Sequence, residues 1–323
     1  TSKITKPKGY GRIIRDEKMN PTNIREEADA SAQEKTINEI FTGIMIADNE
    51  FLKNGLKGLV RNNKAGEYYL TDLVEYASKR KLPIGSTEAK ELEVFGANNK
   101  KELEGLYSAM VALNIDTAKR KGTFFKDTST CYVEGDLKVG KDVSIGNNVT
   151  IKGNVVLGND VSIGSNVILS NTKIGSSSTI KEFCSIEDSK ISENVEVGPF
   201  ARLRNGAVLD NSAKIGNFVE VKKSRIGQNT KANHHAYIGD AEIGKKSNIG
   251  AGTITCNYDG ENKHKTKIGD SVFIGSNSSL VAPLKVGKKS YVAAGSVVTS
   301  DVPAGSLAFG RAKQKNKTNW KKK

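Results

Sequence analysis

From Val139 to Val298 an aliphatic residue returns on a six-residue beat. One register reads Val139, Ile145, Ile151, Leu157, Ile163 and Leu169. A five-residue step leads to Ile174, Ile180 and Ile186, and another to Ile191, Val197, Leu203, Leu209, Ile215 and Val221. The beat resumes at Ile226, Ala232, Ile238, Ile243, Ile249 and Thr255, then after one interruption at Ile268, Ile274, Leu280, Val286, Val292 and Val298. An amphipathic helix would repeat every three or four residues and a half-buried strand every two. A six-residue step fits one flat side of a coil: a short strand points one branched side chain inward, and a following Gly, as at Gly140, Gly158, Gly216 and Gly275, lets the chain turn. Three sides make a coil of about eighteen residues, and coils stack at roughly 4.8 Å, each burying its aliphatic row on the next. The pattern predicts a mainly β protein built on a parallel β-helix of hexapeptide repeats.

The first 97 residues have no such beat. YGRII (10–14), GIMIA (43–47) and LEVFGAN (92–98) read as strands, and TDLVEYASKRK (71–81) as a helix opened by Thr71 or Asp72. Leu103, Leu106, Met110 and Leu113 keep helical spacing until the RKGTFFKD stretch. The expected organisation is an incomplete α/β, Rossmann-like part over 1–98, a connecting helix over 99–121, the β-helix over 122–302 and a basic arm over 303–323.

Composition narrows the picture. Aromatics make up only 6% of 323 residues, as suits a narrow prism filled by Ile, Val and Leu. Cys131, Cys184 and Cys256 offer no paired framework and suit a reducing compartment. The chain has no apolar run of the roughly eighteen residues that spanning a membrane takes, and TSKITKPKGYGR is not a signal peptide, so a cytoplasmic protein with no membrane partner is expected. The first residue is Thr rather than Met, so a fragment is expected. The net charge of +14, with Lys313, Lys315, Lys317 and Lys321 in the tail, reads as a solvated arm plus a site for phosphorylated small molecules. Nucleic acid is not the expected partner, because the basic residues lack interleaved aromatics and no reader motif is present.

The chemistry collects around the one break in the beat. TCNYDGENKHKTK (255–267) places thirteen residues where six belong, so a loop must leave the prism carrying Asn257, Tyr258, Lys263 and His264. Just upstream stand Arg202, Arg204, Glu220, Lys222, Lys223 and Tyr237, with His234 and His235, two of the chain's three histidines. Outward positions of a β-helix are polar in any case, but Arg204 and Lys222 are eighteen residues apart, one coil, and should stack as a phosphate clamp. By the same counting His234 falls on a different face, so a site joining them calls for a neighbouring subunit. His234 and His235 are consecutive, point to opposite faces of a strand and cannot share a metal ion. A lone imidazole suits removal of a proton from an amine nucleophile, with Glu220 placed to orient it. The Cys256 thiol is followed by Asn and Tyr and has no adjacent base, which disfavours an acyl-enzyme.

GPFARLRNGA, IGNFVEVKK, KANHHAYIGDAEIG and NIGAGTITCNYDGENKHKT resemble the acetyltransferase half of the bacterial bifunctional UDP-N-acetylglucosamine pyrophosphorylase/glucosamine-1-phosphate N-acetyltransferase family. GYGRIIR, GEYYLTD and FGANNKKEL resemble the later part of its pyrophosphorylase half. The resemblance implies a left-handed β-helix, a homotrimer with active sites between subunits, and direct acetyl transfer from acetyl-CoA to glucosamine 1-phosphate in cell-wall precursor synthesis. It makes His234 the general base and Glu220 its polarising carboxylate. Arg204, Lys222, Tyr237, Asn248 and Lys263 match the sugar-phosphate contacts; Ala251, Asn257, Tyr258, Ser276, Ala294 and Arg311 match the acetyl-CoA contacts. In the other half, Gly11, Glu26 and Asn98 match sugar-nucleotide contacts, Asn98 being also a magnesium ligand. Phe41 stands where the family usually has Asn, and His235 where a hydrophobic residue is common. The family's Gly-rich nucleotide loop has no counterpart in this sequence, so uridylyl transfer is not expected of it. A different phosphorylated acceptor, or a non-enzymatic trimeric scaffold, are the alternatives.

Overall fold

Branched residues at the six-residue marks form strands of mostly two or three residues, each too short to stand without its neighbours. They are saturated by the coil above and the coil below. The structure is a computed structural model describing residues 1–97, 99–318 and 320. It divides into two compact units, Thr1–Ala109 and Met110–Lys323.

In the second unit the marks form three inward columns along a parallel β-helix of about ten turns. One column pairs Ile151, Leu169, Ile186, Leu203, Val221 and Ile238 in register. A second runs Leu157, Ile174, Ile191, Leu209, Ile226, Ile243, Ile268 and Val286. The third runs Ile145, Ile163, Ile180, Val197, Ile215, Ala232, Ile249, Ile274 and Val292. Nearly all of these side chains are fully buried. The sheet begins at Phe124–Phe125 and its last strand is Leu307–Ala308.

Corners between the flat sides take left-handed backbone, which Asn and Asp tolerate best among residues with a side chain. Asn148, Asn166, Phe183, Phe200, Phe218 and His235 occupy one corner in successive coils, all with positive φ. There the rings of Phe183 and Phe200 stack at 4.8 Å and those of Phe200 and Phe218 at 5.2 Å, all exposed. At Gly216 a Cβ would collide with the carbonyl of Asn233 in the next coil.

The helix α3 (Lys100–Arg120) falls within the expected 99–121, but its buried residues are Ile115 and Ala118. These join the core beside Phe125, Cys131 and Val133, and Asn114 Nδ2 donates to the Val133 carbonyl at 2.9 Å, so the end of the helix covers the first coil. The stripe read from the sequence, with Leu103, Met110 and Leu113, is exposed instead, because Val111, Ile115 and Ala118 on another face meet the prism.

In the first unit the strands Ser2–Lys3, Arg12–Arg15, Pro21–Arg25 and Glu39–Ile40 (β1–β4) form a sheet of order β1-β4-β2-β3. Every pairing is antiparallel, unlike the parallel order of a Rossmann sheet. Helices Asn49–Leu56 and Asp72–Lys79 (α1, α2) follow, the second beginning at Asp72 with Thr71 in the cap position. The segment 43–47 is not a strand: Ile44 and Ile46 face solvent, and no strand lies alongside them among the described residues. Nor is 92–97, where a single turn Glu91–Glu93 is tied down by Glu91 Oε1 accepting from Thr5 N–H at 3.0 Å. That side-chain anchor replaces the backbone ladder expected there.

Truncating a fully buried column residue leaves a cavity between two coils that cannot collapse. Leu203→Ala should therefore cost about 2–5 kcal/mol in denaturant unfolding. Ile168→Ala, on an outward and half-exposed position, should cost less than about 1 kcal/mol.

Candidate active site

The strands Arg202–Arg204 and Lys214–Lys222 lie on adjacent coils, and the register places Arg204 directly against Lys222. Arg202 and Arg204 flank the inward Leu203, so both point outward. Arg204 Nε donates to Glu220 Oε1 at 2.7 Å, which fixes the guanidinium over the next coil. The strand Lys231–Gly239 follows, with Tyr237 opposite Glu220 and Gly239 opposite Lys222. A Cβ at Gly239 would strike the Tyr237 ring and hydroxyl, so the glycine is what lets that ring lie close to the ladder.

His234 is paired with Asn217, and its Nδ1 is 2.7 Å from Asn217 Oδ1. A carbonyl oxygen only accepts, so in the neutral ring this contact puts the proton on Nδ1 and the lone pair on Nε2. Glu220, expected to orient this ring, binds Arg204 instead. It stands three residues along the strand from Asn217, roughly 10 Å at strand spacing, with the corner at Phe218 in between. Asn217 lies in the IGNFVEVKK motif but was not singled out from the sequence; the signal was its spacing of one short coil, seventeen residues, before His234. His235 takes φ +41° at the corner, so it is the turn that separates the two imidazoles. Among the described residues no group of three or more His, Cys, Asp or Glu is placed to hold a metal ion.

The excursion leaves the prism after the strand Ile254–Cys256 and returns at Thr266–Ile268, so Thr255 is paired with Leu280, twenty-five residues on. It is a tight hairpin. Tyr258 bridges Lys263, and Asp259 Oδ1 accepts from the N–H groups of Glu261 and Asn262 at 2.8 and 2.7 Å. His264 Nε2 sits 2.6 Å from Asp259 Oδ2, so that imidazole holds the loop together. These hydrogen bonds keep the Asp259 carboxyl well below its ordinary range. Folding the loop back brings Lys263 against Lys222, whose ammonium holds Lys263 below the usual lysine range through close contact and like charge. Beneath the loop, Asn257 is buried and donates through Nδ2 to Asp240 Oδ2 at 2.6 Å. Asp240 also pairs with Lys222 Nζ at 3.7 Å.

Arg204, Glu220, Lys222, Tyr237, Asn257, Tyr258 and Lys263 are thus gathered around one face and its loop. Asn248 belongs to a different ladder, between Lys231 and Phe273. Ala251, Ser276 and Ala294 stack on one corner, where Asn277 N–H bonds the Ala251 carbonyl at 2.7 Å and Gly295 N–H the Ser276 carbonyl at 2.8 Å. Their small side chains recur one coil apart along the axis. Arg311 follows the last strand and is exposed. A cavity of about 900 Å³ on another face, lined by Arg225, Glu242, Lys267 and Lys285, contains none of the expected site residues. In the first unit Gly11 abuts Glu26, since a Cβ there would come 3.4 Å from its carboxylate, and Phe41 N–H bonds the Gly11 carbonyl at 2.8 Å. Asn98 lies outside the described residues.

Two family models match the second unit: the GMPPB C-terminal domain over 128–213 and the bacterial transferase hexapeptide (six repeats) over 265–300. Bifunctional protein GlmU of Idiomarina loihiensis is 46% identical over 323 residues, all of this chain and 71% of the relative. That of Acinetobacter baylyi is 48% identical with the same coverage, and that of Thermosipho melanesiensis 46% over 99% of this chain and 70% of the relative. The chain belongs to the GlmU family. It is accordingly an acetyltransferase built on the hexapeptide β-helix, and GlmU proteins serve UDP-N-acetylglucosamine synthesis. The match to GlmU runs the whole length of the chain, so it takes in both the clamp and the smaller first unit.

Asp259 organises the hairpin that carries Lys263. Asp259→Ala should speed amide hydrogen exchange at Glu261, Asn262 and His264 by at least about tenfold, leaving the columns of the prism protected.

Proposed function

We propose that the chain N-acetylates glucosamine 1-phosphate with acetyl-CoA by direct transfer, His234 acting as general base. The observation that carries the proposal is the convergence of Arg204, Lys222 and Lys263 on one face, with His234 held by Asn217 across the neighbouring corner. Three cations on one face suit a dianionic phosphate rather than a neutral acceptor. Tyr237 flanks them, and Asn248 completes the sugar-phosphate set. Ala251, Ser276 and Ala294 provide the track for the extended pantetheine arm, with Asn257, Tyr258 and Arg311 as the remaining donor contacts.

In this mechanism His234 Nε2 accepts a proton as the amine attacks the thioester carbonyl. Asn217 holds the Nδ1–H tautomer, and a backbone N–H stabilises the oxyanion. The new C–N bond forms, the C–S bond breaks, and the proton on Nε2 passes to the departing CoA thiolate. Glu220 acts by fixing Arg204, and through it the phosphate. Direct transfer is supported by Cys256, whose Sγ has only a 4.0 Å contact to the Ile254 carbonyl among the described contacts.

The working assembly is a homotrimer. Asn248 stands one ladder away from the Arg204–Lys222 clamp, so a neighbouring copy is the natural source of the second wall. The exposed Phe183–Phe200–Phe218 stack gives such a contact its apolar area. A cytoplasmic location fits three free cysteines, and among the described residues no helix is long and apolar enough to cross a membrane. In domain terms, 1–98 is the later part of a nucleotidyltransferase domain, 99–121 the connecting helix, 122–302 the acetyltransferase and 303–323 a basic arm. Asn98 alone does not make a magnesium site, which relies on carboxylates. No step is therefore assigned to magnesium, and the polypeptide of this sequence should release no pyrophosphate from UTP with N-acetylglucosamine 1-phosphate.

In thiol release from acetyl-CoA, His234→Ala should lower kcat by about 10²–10⁴ while sedimentation still shows a trimer. Asn217→Ala should lower it less, and Cys256→Ala should leave turnover intact. Replacing the acceptor by unphosphorylated glucosamine should remove most binding; equal kcat/KM for the two acceptors would refute the clamp.

A further inference from the structure

Asp240 is a left-handed corner residue, φ +49°, and so are Asn171, Asp188, Asn205 and Lys223 at the same corner of earlier coils. Those four are exposed, while Asp240 is buried, because the hairpin 257–265 folds over it. The corner does not demand an acid, since Lys223 and two Asn occupy it elsewhere. A carboxylate shut away from water needs hydrogen bonds or counter-charge, and Asp240 has both. Asn257 Nδ2 donates to its Oδ2 at 2.6 Å, Lys222 Nζ lies 3.7 Å from the same oxygen, and Lys223 Nζ lies 3.9 Å from Oδ1. Its backbone is fixed as well: its N–H bonds the Lys222 carbonyl at 3.0 Å and its carbonyl accepts from Thr266 N–H at 3.2 Å.

We infer that Asp240 is a positioning residue which holds the acceptor clamp and the donor mouth in one arrangement. The inference rests on the proposed roles of Lys222 in binding the sugar phosphate and of Asn257 in binding acetyl-CoA. Lys222 is itself nearly buried and faces the ammonium of Lys263 across the loop. Two ammonium groups that close repel, and the shared neighbour of opposite charge is Asp240. It keeps Lys222 aimed beside Arg204 before the phosphate arrives. Through its other contact it locks Asn257, the first residue of the excursion, in place. One carboxylate thus ties the register of the prism to the loop that supplies Lys263 and Tyr258.

Two substitutions separate the charge from the hydrogen bond. Asn is at home in left-handed backbone, and its carbonyl oxygen can still accept from Asn257, so Asp240→Asn removes only the charge. Steady-state kinetics on the full chain should show the KM for glucosamine 1-phosphate raised about tenfold or more, with the KM for acetyl-CoA within about twofold of wild type and the unfolding midpoint unchanged. Asp240→Ala, which also frees Asn257, should raise both KM values. An unchanged or lower acceptor KM in Asp240→Asn would overturn the inference, since the acid would then be only a corner residue or a competitor of the phosphate. A parallel rise of both KM values with a lower unfolding midpoint would overturn it too, as a purely structural effect. Lys222→Met is the control. If it raises the acceptor KM and Asp240→Asn does not, Asp240 alone is misassigned. If Lys222→Met leaves the acceptor KM unchanged, the clamp itself is wrong and the role of Asp240 falls with it.

Discussion

Everything in the second unit depends on parallel coils stacking in register at strand spacing. The interaction is double. Backbone N–H and carbonyl groups of each short strand are satisfied only by the coils above and below, and each inward Ile, Val or Leu finds its apolar neighbour one coil away. Where a column position is polar, a local bond repairs it: Thr255 Oγ1 takes the place of an aliphatic side chain, donating to the Gly239 carbonyl and accepting the Gly239 N–H. Because the repeat is rigid, outward side chains inherit its spacing. Two cations can then stand one strand apart without any loop having to fold to bring them together.

That rigidity also limits what the prism can do alone. A flat ladder presents side chains in rows and cannot surround a substrate. Enclosure comes from the departures: the corner at Phe218 and His235, which turns His234 away from the clamp, and the hairpin after Cys256, which returns Lys263 to Lys222. The hairpin is ordered by its own short-range bonds at Asp259 and by the buried Asp240–Asn257 contact at its root. The regular part of the chain therefore supplies stability, spacing and the strands that carry His234, Arg204 and Lys222, and the hairpin adds Asn257, Tyr258 and Lys263.

The two units differ in how far their sequences constrain them. In the β-helix the same physical demand recurs in every coil, so each coil checks the next and a misplaced register would be visible as a broken beat. In the first unit each element occurs once. GIMIA has the alternation of a strand and LEVFGAN its residue types, yet a strand needs a free ladder to join. Whether one is available at Ile44 or Val94 is not a local property of those residues. The apolar stripe at Leu103, Met110 and Leu113 misleads in the same way: helical spacing was right, but which face meets the core depends on where the helix ends against the first coil.

By itself, then, the sequence determined the parallel β-helix, its columns, the stacking of Arg204 on Lys222 and the exit of a polar loop after Thr255. All of these follow from counting residues along a repeat of known rise. The motifs around them also carried the family resemblance. Only the tertiary structure decided that Asn217 rather than Glu220 partners His234, that Glu220 binds Arg204, and that Asp240 lies buried beneath the hairpin between Lys222 and Asn257. Those contacts are made across corners and by a loop folding back. There the direction of a side chain depends on backbone dihedrals and on what covers it, and neither is written in the spacing of residues.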